Sequence, residues 1–325
     1  MPRVLIAAIG AATLLIFLGP KFIEWLRANE VGQFVRPAGL IPEGHAEKQG
    51  TPTMGGLLIV FATLVPFVIL SSRSTTAMLV LFATLATGAI GFADDYMKVV
   101  RKRSLGLAGK WRMLGLVGVA IVVGWVAVDV IGLPTALRIP IVNDSIQIGI
   151  VAYFVVVFLV VAGAANAVNL TDGLDGLAAG IAAIVLLAYT AIAFVSNQTD
   201  LAIFGATLVG ACLGFLWFNS FPAQVFMGDT GSYALGGAIA GMAVLTMTEI
   251  LLIVIAAVFV IEALSVIIQV IVFKRSRRRV FLMTPLHHHF EMAGWSETKI
   301  IVRFWLIASI FAAVGFTLFF RDFQL

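Results

Sequence analysis

Residues 77–98 read AMLVLFATLATGAIGFADDYMK. An uncharged run, 77–93, leads straight into two adjacent aspartates, Asp94 and Asp95, with Lys98 one helical turn on. A run this apolar has close to the length of a membrane span, about 20 residues. The paired carboxylates then stand where the chain leaves the lipid. Adjacent carboxylates repel each other, so their placement there needs a physical reason.

Composition extends the membrane reading to the whole chain. Of 325 residues, 61% are hydrophobic and 12% are charged, against roughly 25% charged in soluble domains. Ten apolar runs separated by short polar stretches can be drawn: 4–20, 54–71, 77–93, 113–131, 148–167, 177–196, 201–218, 233–248, 250–273 and 300–320. Helices satisfy their own backbone groups in lipid, and the alternating pattern of a membrane barrel is absent. The expectation is an all-α, polytopic membrane protein with ten transmembrane helices. The first run has only Arg3 before it and reads as a span, not a leader. No repeat, low-complexity tract or linker divides the chain, so 1–325 is expected to be a single domain. Cys212 is the one cysteine, which excludes an intrachain disulfide. The net charge of +4 gives no case for nucleic acid.

Basic residues set the orientation. Of the 21 Lys and Arg, all but Arg3, Arg73, Arg138 and Arg321 fall in or beside the odd-numbered loops. By the positive-inside rule those loops are cytoplasmic and both termini are periplasmic. The outer loop 132–147 contains RIPIVNDSIQI, whose Asn-Asp pair between short alternating runs predicts a small hairpin.

Two cytoplasmic loops carry no basic residue. One is NAVNLTDGLDGLA (166–178), the other FNSFPAQVFMGDTGS (218–232). The topology brings Asp94, Asp95, Asp172, Asp175 and Asp229 to one membrane face, together with Lys48, Lys98, Lys110 and His287, His288 and His289. Acids gathered at one depth repel unless cations sit among them. Oxygen ligands suit Mg²⁺, which usually binds through one or two carboxylates plus substrate phosphates, and lysine is a point-charge partner for phosphate. The residues alone therefore point to a diphosphate handled at a membrane surface.

Each motif also has a plainer reading. The Asp pair can be solvated or matched by Lys98 and Arg101. GLDG can be a turn, MGDTGS a turn with an N-cap, and KRSRRR (274–279) a topology anchor. The histidine run can be structural or bind metal. Glu262, near the middle of the ninth run, is expected to pair with a polar group of a neighbouring helix.

GTPTMGG (50–56), GFADDYMK (91–98), the two acidic loops and TPLHHHFEMAGWSE (284–297) closely resemble the phospho-N-acetylmuramoyl-pentapeptide transferase (MraY) family. That family lies within the polyprenyl-phosphate N-acetylhexosamine-1-phosphate transferases. The resemblance runs from the first span to the last. It implies transfer of phospho-N-acetylmuramoyl-pentapeptide from the UDP-linked donor to undecaprenyl phosphate, giving lipid I and UMP with Mg²⁺. It also implies a bacterial inner-membrane location, a cytoplasmic site and a homodimer.

Residue roles follow from the matched motifs. Asp229 resembles the Mg²⁺ ligand, and Asp94 the base for the lipid phosphate, with Asp95 organising charge beside it. His287 is grouped with these catalytic residues. Lys98, Lys110, His288 and His289 would steady phosphate oxygens. Lys48, Gly173, Leu174, Asp175, Asn219 and Phe226 resemble nucleoside-site positions, with Phe226 stacking on uracil. Asp172 would support that site or the metal. Direct attack and a covalent route through Asp229 both stay open. Two rivals are a related N-acetylhexosamine-phosphate transferase and a secondary transporter, whose site would lie near mid-membrane.

Overall fold

The computed structural model describes residues 1–32, 50–101, 106–142 and 144–323. Lys48 lies outside the described residues. In chain order the helices are α1 (Pro2–Ala28), α2 (Gly56–Leu70), α3 (Thr75–Val100), α4 (Gly109–Trp125), α5 (Gly149–Thr171), α6 (Leu177–Val195), α7 (Thr199–Asn219), α8 (Gly228–Leu245), α9 (Leu252–Ile255), α10 (Ala257–Ser276), α11 (Leu286–Met292) and α12 (Glu297–Phe323). A π-helical turn, Val126–Val130, continues α4. Strands β1 (Ala136–Ile139) and β2 (Asp144–Gln147) pair antiparallel, with Leu137 opposite Ile146. This is the hairpin expected within 132–147.

Among the described residues, eight helices are long and apolar enough to cross a membrane. They are α1, α3, α4 with its π-turn, α5, α6, α7, α10 and α12. The protein is thus a multi-pass membrane protein, and two of the ten expected runs fall short of that length and apolarity. The run 54–71 yields only the 15 residues of α2. At 1.5 Å per residue that is about 22 Å, against a hydrocarbon core of about 30 Å. Its start is tied to another loop instead: Gly55 N donates to Phe226 O at 2.9 Å and Gly56 N to Met227 O at 2.9 Å. The helix of the eighth run, α8, has 18 residues, but Asp229 and several glycines dilute its apolar character. The ninth run breaks at Ala256, leaving the single turn α9 before α10.

Small residues explain why α8 needs little lipid. Every side chain from Thr230 to Leu245 is buried, and α8 packs against α3, α5, α2 and α6. Gly91 of α3 shows how close the approach is, since a Cβ there would collide with the Asp229 carbonyl. Without a strong hydrophobic drive between helices in lipid, such backbone-to-backbone packing supplies the attraction. Around this centre α1 lies on α7 and α2, and α6 lies on α7 and α12. In contrast, α10 leans mainly on α5 and exposes Ile261, Leu264, Ile267 and Ile268.

Candidate active site

The C-terminal end of α3 meets the N-terminal end of α8, and the acids collect there. An α-helix begins with backbone N–H groups that have no intrahelical partner. No side chain of α8's own N-cap fills that role. Asp95 of α3 supplies it: Asp229 N donates to Oδ1 at 3.0 Å, and Thr230 N and Oγ1 donate to Oδ2 at 2.8 and 2.7 Å. A carboxylate at a helix N-terminus is also favoured by the helix dipole. Gly228 makes the turn into α8 with φ +75°, and a Cβ there would crowd Asp95 Oδ2. Asp95 is therefore committed to joining α3 to α8.

Asp94 and Asp229 share a cation. Lys98 Nζ lies 2.7 Å from Asp94 Oδ2 and 2.9 Å from Asp229 Oδ2. Asp94 is 1% exposed, and its Oδ1 accepts from Leu107 N at 2.7 Å, with Arg112 3.9 Å away. The other oxygen of Asp229 accepts from Asn169 Nδ2 at 2.9 Å, and that amide also reaches Ser232 Oγ at 3.0 Å. One face of α5 thus supports the acids. Asn166, one turn earlier on α5, accepts from Tyr233 Oη at 3.2 Å. Ligand oxygens from Asp94, Asp95 and Asp229 lie within 4.8 Å of one another. This all-oxygen set fits a hard divalent cation, and the Lys98 ammonium already rests between two of its members.

Asp172 follows the end of α5. Burial, reinforced by the charges of Asp229, Asp95 and Asp175 and opposed by Lys98, pushes its carboxyl up to about 8. Nearby, two residues expected to bind nucleoside hold loops together. Asn219 Oδ1 accepts from Gly176 N at 3.0 Å, and its Nδ2 donates to Val225 O at 2.9 Å. Asp175 Oδ2 accepts from Ala223 N at 3.0 Å, while Asp175 N donates to Glu297 Oε1 at 2.9 Å. Leu174 is buried beside them. Phe226 is half-buried on the same loop, its N donating to Pro52 O at 2.8 Å.

The remaining expected residues are spread more widely. Lys110 is exposed, its ammonium 5.6 Å from the Trp111 ring centroid; Arg112, two residues on, approaches Asp94. His287 is fully buried against Glu262, and Gly173 packs on its ring. His288 pairs with Glu291, and His289 Nδ1 accepts from Leu282 N at 3.1 Å. Sequence reasoning did not single out Asn169, Thr230 or Arg112. The i, i+3 spacing of Asn166 and Asn169, continuing to Asp172, could have marked a polar helix face.

An acidic, oxygen-rich centre in a multi-pass membrane protein suits a transferase acting at a membrane surface. A family model described as Glycosyl transferase family 4 matches residues 77–247, and one described as Phospho-N-acetylmuramoyl-pentapeptide-transferase signature 1 matches residues 48–60. The chain is 45% identical to the phospho-N-acetylmuramoyl-pentapeptide-transferase of Rubrobacter xylanophilus, over 98% of each chain. It is 48% identical to that of Geobacillus sp. strain WCH70, over 97% of this chain and 98% of the relative. The Bacillus subtilis protein of the same name is 47% identical, over 92% and 93%. The chain belongs to the phospho-N-acetylmuramoyl-pentapeptide-transferase family.

Proposed function

We propose that this protein transfers phospho-N-acetylmuramoyl-pentapeptide from its UDP-linked donor to undecaprenyl phosphate, releasing UMP and forming lipid I. The observation that carries the reading is the Asp94–Lys98–Asp229 arrangement at the α3–α8 junction of a chain in this family. A phosphate oxygen of the lipid attacks the sugar-bearing phosphorus of the donor. The diphosphate P–O bond breaks, and UMP leaves with the bonding electrons. Asp94 takes up a remaining proton from the attacking phosphate. Lys98 exchanges a carboxylate for a phosphate oxygen as the diphosphate arrives. Phe226 offers its ring to the uracil, and Lys48 and Lys110 add charge for the phosphates.

Asp229, with Asp94, would hold Mg²⁺. When bound, the ion neutralises charge on the diphosphate and on the leaving phosphate. Asp229 has one oxygen on Lys98 and the other on Asn169, an environment that steadies a ligand more than it frees a nucleophile. This supports direct attack over a covalent route. The decisive experiment incubates purified protein with UDP-N-acetylmuramoyl-pentapeptide, undecaprenyl phosphate and Mg²⁺. Lipid I and UMP are expected together; folded protein that releases no UMP would remove the proposal.

We also infer ten crossings, with α2 and α8 completing the eight long helices, both termini periplasmic and the acids at the cytoplasmic side of the bacterial inner membrane. The distribution of Lys and Arg supports this. Single cysteines at Ser72 and Ser276, in a protein lacking Cys212, should label from opposite sides of sealed vesicles.

A further inference from the structure

Glu262 lies in α10 and is 0% exposed. A carboxylate within a membrane span is costly unless its oxygens are occupied. Here they are occupied by the first turn of α11. Leu286 N donates to Oε2 at 2.6 Å, His287 N donates to Oε1 at 3.2 Å, and His287 Nδ1 lies 3.2 Å from Oε1. The chain that leaves α10 at Ser276 therefore folds back onto α10. On its other side, the His287 ring closes against the loop between α5 and α6, where a Cβ on Gly173 would collide with Nε2. His287 is 0% exposed between these two walls, leaving no space for a phosphate oxygen at Nε2.

We infer that Glu262 and His287 form a latch that docks the histidine segment onto residues 171–176, and that His287 is a positioning residue. The latch holds the loop that carries Gly173, Leu174 and Asp175. Its loss should therefore disturb the UDP-linked donor more than the lipid acceptor. The kinetic part rests on the proposed transfer reaction; the structural part does not.

The test uses the full chain in detergent, with Glu262→Leu, Glu262→Gln, His287→Asn and His287→Gln. Steady-state kinetics are measured with both substrates, and backbone amide exchange by mass spectrometry. Losing the buried acceptor should raise the donor KM of Glu262→Leu about tenfold, with the lipid KM within about twofold. Amides in 284–292 and 171–176 should exchange faster in the same variant. Glu262→Gln keeps one acceptor oxygen and should lie between wild type and Glu262→Leu. An asparagine amide nitrogen can stand where His Nδ1 stands, and a glutamine amide nitrogen where Nε2 stands. The latch therefore predicts a lower donor KM for His287→Asn than for His287→Gln, whereas contact with phosphate through Nε2 predicts the reverse. If Glu262→Leu does not fold, Glu262→Gln and the histidine pair decide. Unchanged exchange and donor KM in the Glu262 variants, or a lower donor KM for His287→Gln than for His287→Asn, would overturn the latch. Wild-type protein that releases no UMP would instead overturn the proposed function and leave amide exchange to judge the latch.

Discussion

The two ends of α8 solve the problem of a helix terminus in opposite ways. At the N-terminal end, the free N–H groups take a carboxylate, Asp95, and further acids gather around Lys98. At the other end, a hydroxyl and a backbone amide donate to the last carbonyls: Thr246 Oγ1 to Met242 O at 2.7 Å, and Thr248 N to Ala243 O at 2.8 Å. Glu249 follows, buried, accepting from Tyr153 Oη at 3.4 Å. The first end concentrates negative charge around one cation, Lys98, and can respond to a second. The second end carries one buried acid, Glu249, with the charge of Arg138 acting on it. If this contrast describes function, changes at the first end should alter chemistry, and changes at the second should alter only stability.

Asp229→Asn should have the largest effect. The substitution keeps size but turns an amide NH₂ toward either Lys98 or Asn169, both of which are donors. It also removes a metal-binding charge. Turnover should fall at least about 100-fold, or roughly 2.7 kcal/mol. Raising Mg²⁺ should recover part of the loss if weakened metal affinity is the main defect. Near-normal turnover of folded variant, with an unchanged Mg²⁺ requirement, would erase the distinction between the two ends.

Phe226→Ala comes next. Backbone bonds to both Pro52 and Gly55 hold residue 226 in place, so truncation removes the ring without releasing the loop. Stacking of a base on an aromatic ring is worth about 1–3 kcal/mol; donor affinity should fall about tenfold, with lipid phosphate binding unchanged. Calorimetry showing full UDP-sugar affinity would take Phe226 out of the site.

These residues also show how far the sequence can be read. Asp94, Asp95 and Asp229 were placed on one face by counting spans and basic residues, and the structure brings their oxygens together. The hairpin was visible because Asn143–Asp144 interrupts an alternating pattern. Glu262 was expected to pair with a polar group of a neighbouring helix, and it does so on α11, through the N–H groups of Leu286 and His287 and the His287 ring; no periodicity records which helix that is. Asp95 as the cap of another helix was likewise hidden, because capping between distant segments leaves no local spacing. The shortness of α2 and the break at Ala256 follow from tertiary contacts and backbone geometry, while hydropathy reads both runs as continuous. Asn219 and Asp175 matched a binding motif, yet their side chains visibly fasten loops; the motif alone does not separate holding a ligand from holding the chain.

A smaller effect should appear in proton linkage. With its carboxyl near 8, Asp172 holds its proton at neutral pH. A divalent cation among Asp94, Asp95 and Asp229 opposes the charges that raise it, so cation binding should release part of a proton. Apparent Mg²⁺ affinity should therefore increase from about pH 6 to 8, and Asp172→Asn should flatten that slope. Calorimetry in buffers of different ionisation enthalpy measures the released protons directly. Equal release by wild type and variant would assign the linkage to another group.

Glu249→Gln should have the smallest effect on activity and so gives the sharpest control. Burial pushes the Glu249 carboxyl up to about 7, against the pull of its own backbone N–H, Tyr153 and Arg138. Its Oε2 has no hydrogen-bond partner among the described residues. Between the unfolded value of about 4.5 and the folded value of about 7, the folded protein keeps a proton that the unfolded chain has lost. Stability from this group is therefore present below about 4.5 and falls as pH rises through that window. Glutamine keeps the shape and an acceptor for Tyr153 but cannot ionise, so the pH dependence of the melting temperature should flatten across this interval. Turnover should stay within about twofold of wild type, because the change lies at the end of α8 opposite the cluster of acids. Melting curves and UMP release measured on the same samples from about pH 5 to 8 test both halves. A turnover loss comparable to that of Phe226→Ala would show that the two ends of α8 are coupled, and the division of labour drawn between them would fail.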